Sequence, residues 1–303
     1  MENALQAPVP KRRFWFVSLL VMVLLPACLV AVLAAWLFNN LAVFGDPERR
    51  EINAVRRTHF ASWVTGTPLA GTPDLARLET RLKAGGLTLG SPVLIRIFKR
   101  EFELELWMAR DGRFERFATY PICVWSGWLG PKIAAGDRQA PEGFYTVGNS
   151  QMNPNSRWHR SFNLGFPNAF DAAHGRTGSA LMVHGGCSSI GCFAMGNAVI
   201  DEVWRLTTAA LAGNQKVFQV QVFPFRMSEQ NLAAHQASPH IEFWRQLKRG
   251  NDLFEATGQA PVASVCRGGY RFKAGTGAET VAAIGAACSD SSFTEKNGGK
   301  KAL

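Results

Sequence analysis

Residues 184–192, His-Gly-Gly-Cys-Ser-Ser-Ile-Gly-Cys, put one imidazole, two thiols and three glycines on a short stretch of chain. These side chains have three chemical uses. His184, Cys187 and Cys192 form a set that zinc accepts, with His174 or Asp171 as source of a fourth ligand, although H-x2-C-x4-C is not a common structural-zinc spacing. Cys187 and Cys192 are separated by serines and a glycine that would let them close a disulfide, which could shield or switch off a reactive thiol. The third use is covalent catalysis, in which the imidazole takes the proton of a cysteine that then attacks a carbonyl. A free thiol titrates near a pKa of about 8.5, so it needs such a base, or a helix N-terminus, to react at neutral pH.

Covalent catalysis requires elements that bring the two ends of the stretch together. SALMVHG, residues 179–185, is short and apolar and predicts a buried strand ending at His184. AMGNAVIDEVWRLTTAALAGN, residues 194–214, has helical spacing with Ile200, Val203, Trp204 and Leu211 on one side, so Cys192 falls where a helix is expected to begin. Glycines 185, 186 and 191 let backbone approach closely, and the N–H groups around Ser189, Gly191 and Cys192 are candidates for an oxyanion site. Residue types and spacing leave all three uses open.

The rest of the chain reads as strands and turns. PVLIRIFKREFELELWMA, residues 92–109, alternates Ile95, Ile97, Phe102, Leu104 and Leu106 against Arg96, Glu103 and Glu105, a hairpin turning near Lys99-Arg100. RFERFATYPICVWSG, residues 144–147 and VFQVQVFPF read as further strands, and GPKIAAGDRQAPEG as a loop between them. Arg157 to Arg160 sit in an extended polar loop. Leu75, Leu78 and Leu82 share a helix face that Gly85-Gly86 ends, and residues 240–256 are helical in pattern. Beyond Pro261 the chain is rich in Gly, Ala and Ser and predicts loose order. Many short strands with a few helices predict a mainly β, α+β domain.

Residues 14–38 carry no charge and follow Lys11-Arg12-Arg13. At ~1.5 Å per residue such a run exceeds the ~30 Å of bilayer hydrocarbon, and the preceding cations favour a cytoplasmic N-terminus. One transmembrane helix is therefore expected, with everything after it outside the cytoplasm. Cleavage as a signal, or lipidation at Leu25-Pro26-Ala27-Cys28, are the alternatives. Six cysteines, one of them in this segment, leave an odd number in an oxidising compartment, which hints at an unpaired thiol; Cys266 and Cys288 could pair. The net charge of +10 is spread over short basic pairs with no nucleic-acid-binding motif, so no nucleic-acid partner is expected.

Ser189-Ile190-Gly191-Cys192, preceded by His184-Gly185, resembles the signature of the L,D-transpeptidase (YkuD-type) catalytic domain. Residues 162–195 are similar more closely to the murein L,D-transpeptidase-like subgroup, which includes the amidase that detaches lipoprotein from peptidoglycan. The resemblance implies a mixed β-sandwich in which Cys192 is the nucleophile, His184 the general base, and the Gly185 carbonyl orients the imidazole. It implies a substrate cleft lined by Arg160, Asn163, Asp171 and Arg176, with the Arg176 fork suited to a substrate carboxylate. Expected partners are peptidoglycan stem peptides, with peptidoglycan-linked lipoprotein or outer-membrane protein as a further class; no metal or cofactor is expected. Where most members have a histidine between serine and glycine this chain has Ile190, and Phe193-Ala194-Met195 follows the cysteine where an arginine or asparagine is usual. These departures bear on the acyl acceptor and so on transpeptidation against hydrolysis.

The expected organisation is a cytoplasmic N-terminus (1–13), an inner-membrane anchor (14–38), a linker and helical stalk (39–90), a periplasmic catalytic domain (91–227), a helical extension (228–258) and a flexible tail (259–303). The non-enzymatic alternative is a tethered cell-wall-binding or zinc-binding module that keeps the fold without the activity.

Overall fold

The computed structural model describes residues 29, 30, 32, 33, 46–277 and 284–286. Most of the expected membrane segment, the N-terminus before it, Cys28 and Cys288 lie outside the described residues. No helix among those described is long and apolar enough to cross a membrane. By internal contacts the chain divides into Met1–Val55 and Arg56–Leu303.

The first unit holds the start of α1 (Pro47–Thr65), capped by Asp46, whose Oδ1 accepts from the N–H groups of Glu48 at 2.9 Å and Arg49 at 3.3 Å. Proline at the first helical position and an acidic first turn complete a strong start signal.

In the second unit, the end of α1 does not stand off as a stalk. The Arg56 guanidinium donates to the Gly127 carbonyl at 2.6 Å and lies 4.6 Å from the Trp125 ring centroid, and His59 Nδ1 is 2.8 Å from the Ile122 carbonyl oxygen. After α2 (Leu78–Ala84), which buries Leu78 and Leu82, the chain enters its first sheet. That sheet has the order β3 (Arg113–Pro121), β2 (Glu103–Arg110), β1 (Val93–Phe98), β10 (Val217–Phe223), β5 (Gly143–Gly148), with β1 and β10 parallel and the other pairs antiparallel. The second sheet runs β4 (Val124–Trp125), β9 (Phe193–Ala194), β8 (Met182–His184), β7 (His159–Asn163), β6 (Met152–Ser156). Aromatic rings join the two sheets, Phe162 of β7 lying 5.5 Å from Phe218 of β10. The mixed α+β reading holds.

The helices after the site are α4 (Asn197–Ala212), preceded by the short α3 (Ala169–Ala173), then α5 (Glu229–Ala234) and α6 (Ile241–Thr257). α4 buries the predicted face, Ile200, Val203, Trp204 and Leu211. α6 explains why the alternation in β1 does not mark a wet face. Arg96 is buried, donating to Asn251 at 2.5 Å and Glu255 at 2.6 Å, with its guanidinium 4.7 Å from the Phe254 ring. Lys99, at the predicted turn, is buried as well, its Nζ bonded to Glu142 at 2.8 Å and to two carbonyls. Buried charges persist only when paired and hydrogen-bonded, as both are here.

Two further expectations are corrected. The polar stretch at 157–160 is not a plain loop: β6 and β7 form a hairpin around it, with a register shift between Asn153 and Ser156 that masks the strand pattern. The chain beyond Pro261 is not a loose tail over its first residues. β11 (Val262–Cys266), β12 (Gly269–Lys273) and β13 (Gly285–Ala286) make a third sheet, and Ala263, Val265 and Tyr270 join the core with Phe144, Phe170 and Trp244. Burial of these apolar side chains outweighs a composition that suggests disorder.

Candidate active site

β8 ends at His184 and β9 starts at Phe193, and the two strands pair in parallel, Val183 with Phe193 and His184 with Ala194. Extending that register by one residue sets Cys192 opposite Met182. Side chains alternate along a strand, so residues 182 and 184, and the paired 192 and 194, share a face. Cys192 and His184 therefore point from the same face, one diagonal step apart, at about 7–8 Å between Cα atoms.

The loop between them is tied at several points. The Met195 N–H donates to the His184 carbonyl at 2.8 Å, and that of Gly196 to the Gly186 carbonyl at 2.9 Å. The Gly186 N–H donates to Asn197 Oδ1 at 2.8 Å. Cys187 forms a disulfide with Cys123, 64 residues away in sequence, at a Cα–Cα distance of 5.4 Å. This rules out the Cys187–Cys192 pairing that the sequence left open and removes Cys187 from any zinc set. Cys192 is the free cysteine among the described residues; Cys266 is also disulfide-bonded. His174 bonds the Phe170 carbonyl and Asp171 pairs with Arg176, so neither reaches toward Cys192 as a ligand.

The base is strongly held. His184 Nδ1 lies 2.5 Å from the Gly185 carbonyl oxygen. A carbonyl can only accept, so Nδ1 carries the hydrogen and Nε2 the lone pair. The Trp158 ring stacks on the imidazole at 6.0 Å between centroids. Burial lowers the His184 pKa below its ordinary 6.5 and so keeps the ring neutral at neutral pH, while the Gly185 hydrogen bond acts in the opposite direction.

The nucleophile does not sit at a helix start. Phe193 and Ala194 of β9, then Met195 and Gly196, separate Cys192 from α4, so the helix N-terminus is not available to its thiolate. Its Sγ accepts from the Met182 N–H at 3.4 Å and lies 3.8 Å from the Ala180 carbonyl oxygen. Burial raises the thiol pKa above 9.0, against the opposing effects of the Met182 N–H and the Lys132 charge. Thiol and imidazole are thus both neutral at rest.

The backbone N–H groups expected to face an oxyanion are engaged by hydroxyls. That of Gly191 donates to Ser126 Oγ at 2.5 Å and that of Cys192 to Ser189 Oγ at 3.0 Å. Ser189 in turn donates to the Cys192 carbonyl at 2.7 Å and contacts Ser126 at 3.1 Å. An oxyanion at those N–H groups would have to displace the two hydroxyls. Ser126, which sequence reading did not single out, comes from 63 residues upstream of Ser189 and has no local signature.

The expected cleft residues are mostly committed elsewhere. Arg176 is buried and bonds Asp171 Oδ1 at 2.8 Å, with its guanidinium 4.7 Å from the Phe243 ring. Asp171 caps α3 through Asn168 and accepts from the Tyr145 hydroxyl at 3.1 Å. Both braces are internal, so the Arg176 fork is not open to a substrate carboxylate. Asn163 Oδ1 accepts from the Gly165 N–H at 2.9 Å, closing a local turn. Arg160 stays half-exposed, paired with Asp201 at 3.1 Å, and its carbonyl accepts from the Gly185 N–H at 3.2 Å. Ile190 is 73% exposed and Trp158 43%, leaving an apolar rim beside the thiol and the imidazole.

The profile of the L,D-transpeptidase catalytic domain (YkuD) matches residues 93–222. "Putative L,D-transpeptidase YafK" of Escherichia coli K12 is 47% identical over 182 residues, 60% of this chain and 74% of that protein, and its counterpart in strain O157:H7 matches equally. Among solved structures, the helical cell shape determining protein Pgp2 of Campylobacter jejuni is 21% identical over 58% of this chain and 65% of its own, with a TM-score of 0.37. Bd1075 of Bdellovibrio bacteriovorus is 21% identical over 54% and 60%, with a TM-score of 0.32. At those scores the two structures add nothing to the assignment.

Proposed function

The chain belongs to the L,D-transpeptidase catalytic-domain family, and from that premise we propose that it is a peptidoglycan-modifying enzyme working through a Cys192 thioester. His184 Nε2 takes the Sγ proton as Sγ attacks the diaminopimelate carbonyl of a stem peptide. The proton passes to the leaving amine, and the thioester is then resolved by another amine or by water. The observation that carries the reading is a neutral imidazole, held through Nδ1 by Gly185, on the same sheet face as a free thiol. Burial lowers the imidazole pKa and raises that of the thiol, so the pair rests neutral and the Sγ proton moves to Nε2 in the course of the attack.

Attack of water on the thioester is the favoured second half-reaction, so that the net reaction is hydrolysis of protein–peptidoglycan amide links. Ile190 stands exposed beside the nucleophile where most family members have a histidine, and it offers an amine acceptor no polar contact. The likeness of residues 162–195 to the amidase-containing subgroup supports the same choice. The enzyme works in the periplasm, tethered to the inner membrane through residues 14–38. Purified protein incubated with tetrapeptide muropeptides and with lipoprotein-linked sacculi, followed by mass spectrometry, tests this reading. Release of protein bearing no new cross-link is expected from the wild type and none from Cys192→Ala. Cross-linked muropeptide as the main product assigns transpeptidation instead, and no product from either substrate favours an inactive module.

A further inference from the structure

The loop between Gly130 and Ala140, read from sequence only as a connection, carries a buried cation packed on the segment that also reaches the nucleophile. Lys132 is 4% exposed. Its Nζ donates to Asp137 Oδ1 at 2.5 Å and to the Ala134 carbonyl at 2.8 Å. An ammonium has three N–H groups, so one is left without an acceptor among the described residues. Asp137 is itself fixed, accepting from the N–H groups of Ile133 at 2.8 Å, Ala134 at 3.0 Å and Gln139 at 3.0 Å.

One short segment lies against both Lys132 and Cys192. A Cβ placed on Gly178 would fall 2.6 Å from Lys132 Cε, so the glycine admits the lysine stem. Two residues on, the Ala180 carbonyl oxygen is 3.8 Å from Cys192 Sγ. Two residues of chain span at most about 7 Å, so ammonium and thiol flank one short segment and stand within electrostatic reach of each other. The loop is pinned to the same segment by Thr177, whose N–H donates to the Ile133 carbonyl at 3.0 Å and whose hydroxyl accepts from the Ala135 N–H at 3.1 Å.

We propose that Lys132 is a positioning residue of this active site, its buried ammonium favouring ionisation of Cys192 while Asp137 sets how much of that charge the thiol feels. The proposal rests on the assignment of Cys192 as nucleophile. Lys132 keeps its proton throughout: the Sγ proton goes to His184 Nε2, and the ammonium stabilises the negative charge that develops on sulfur as that proton leaves and the bond to carbon forms. The Lys132 charge favours the ionised form of Cys192, opposing the effect of burial. Asp137 is the carboxylate in contact with it, and His184 is neutral.

The test is the rate of iodoacetamide alkylation of Cys192 in the full chain, followed on the Cys192 peptide by mass spectrometry from neutral to alkaline pH. Lys132→Met is expected to slow alkylation about tenfold at neutral pH, since one pKa unit is tenfold in thiolate. Lys132→Arg restores most of the rate. Asp137→Asn removes the countercharge, keeps the shape, and speeds alkylation. A purely structural role moves Lys132→Met and Asp137→Asn in the same direction, and that result, or an unchanged rate in Lys132→Met, overturns the proposal. If Lys132→Met does not fold, Asp137→Asn decides alone: faster supports, unchanged or slower overturns. Alkylation needs no substrate, so its outcome is independent of whether Cys192→Ala abolishes turnover.

Discussion

His184 Nδ1 lies 2.5 Å from the carbonyl oxygen of Gly185, the next residue in the chain. Any residue could supply that carbonyl, yet only glycine fits there. A Cβ at 185 would come within 2.8 Å of both Asn197 Oδ1 and the Trp158 carbonyl oxygen, and 3.0 Å of His159 Cβ. Base orientation and loop packing thus meet in one residue. Gly185→Ala is expected to cost about 1–3 kcal/mol by overpacking and to lower turnover more than stability requires, because the displaced carbonyl releases the imidazole. Thermal melts beside kinetics on the folded protein check it; wild-type turnover would show that the carbonyl does not set the ring.

The acid limb of kcat/KM reports the base of the free enzyme. Burial lowers the His184 pKa below 6.5, and the active form is the neutral ring. Activity should therefore rise with pH through a midpoint below 6.5 and stay level through neutrality, where Cys192, raised above 9.0, is still protonated at rest. A pH profile of amide hydrolysis decides this, and a midpoint above 6.5 would contradict the neutral-pair account.

The Cys123–Cys187 disulfide anchors the loop midway between base and nucleophile. Reduction, or Cys187→Ser, should destabilise the domain by about 2–5 kcal/mol and lower activity as the loop loosens. Melting curves and assays with and without reductant test it. Activation by reductant would point instead to a disulfide involving Cys192.

Arg176 and Asp171 form a buried pair, with side chains 7% and 1% exposed. Removing one partner of such a pair strands the other's charge, so Arg176→Ala should cost about 3–5 kcal/mol. KM of the protein that remains folded should be unchanged. A raised KM with undiminished stability would restore the substrate-carboxylate role expected from sequence.

Much of the fold was legible because its signals are local. The period-two run from Val93, the helical spacing after Asn197 and the apolar strand ending at His184 all fold as patterned. What was hidden depends on distant partners. Arg96 looks solvent-facing until α6 supplies Asn251 and Glu255, and the chain after Pro261 looks loose until Tyr270 finds Phe170 at 4.3 Å. At the site, His184, Gly185 and Cys192 were readable because one strand-loop-strand unit holds them. Cys123, Ser126 and Lys132 were not, since they arrive from a strand end and a loop more than fifty residues upstream. The two bound to the stretch itself, Cys123 and Ser126, also overturned local guesses, one about the disulfide and one about the oxyanion donors.

The central claim is a covalent bond between substrate and Cys192. The most direct measurement is intact-protein and peptide mass spectrometry of enzyme quenched during turnover of a stem-peptide substrate. The account predicts a mass increase equal to the acyl portion, on the peptide containing Cys192, sensitive to hydroxylamine and missing in Cys192→Ser. Sustained product formation by Cys192→Ala, with no adduct on the wild-type cysteine, would contradict it.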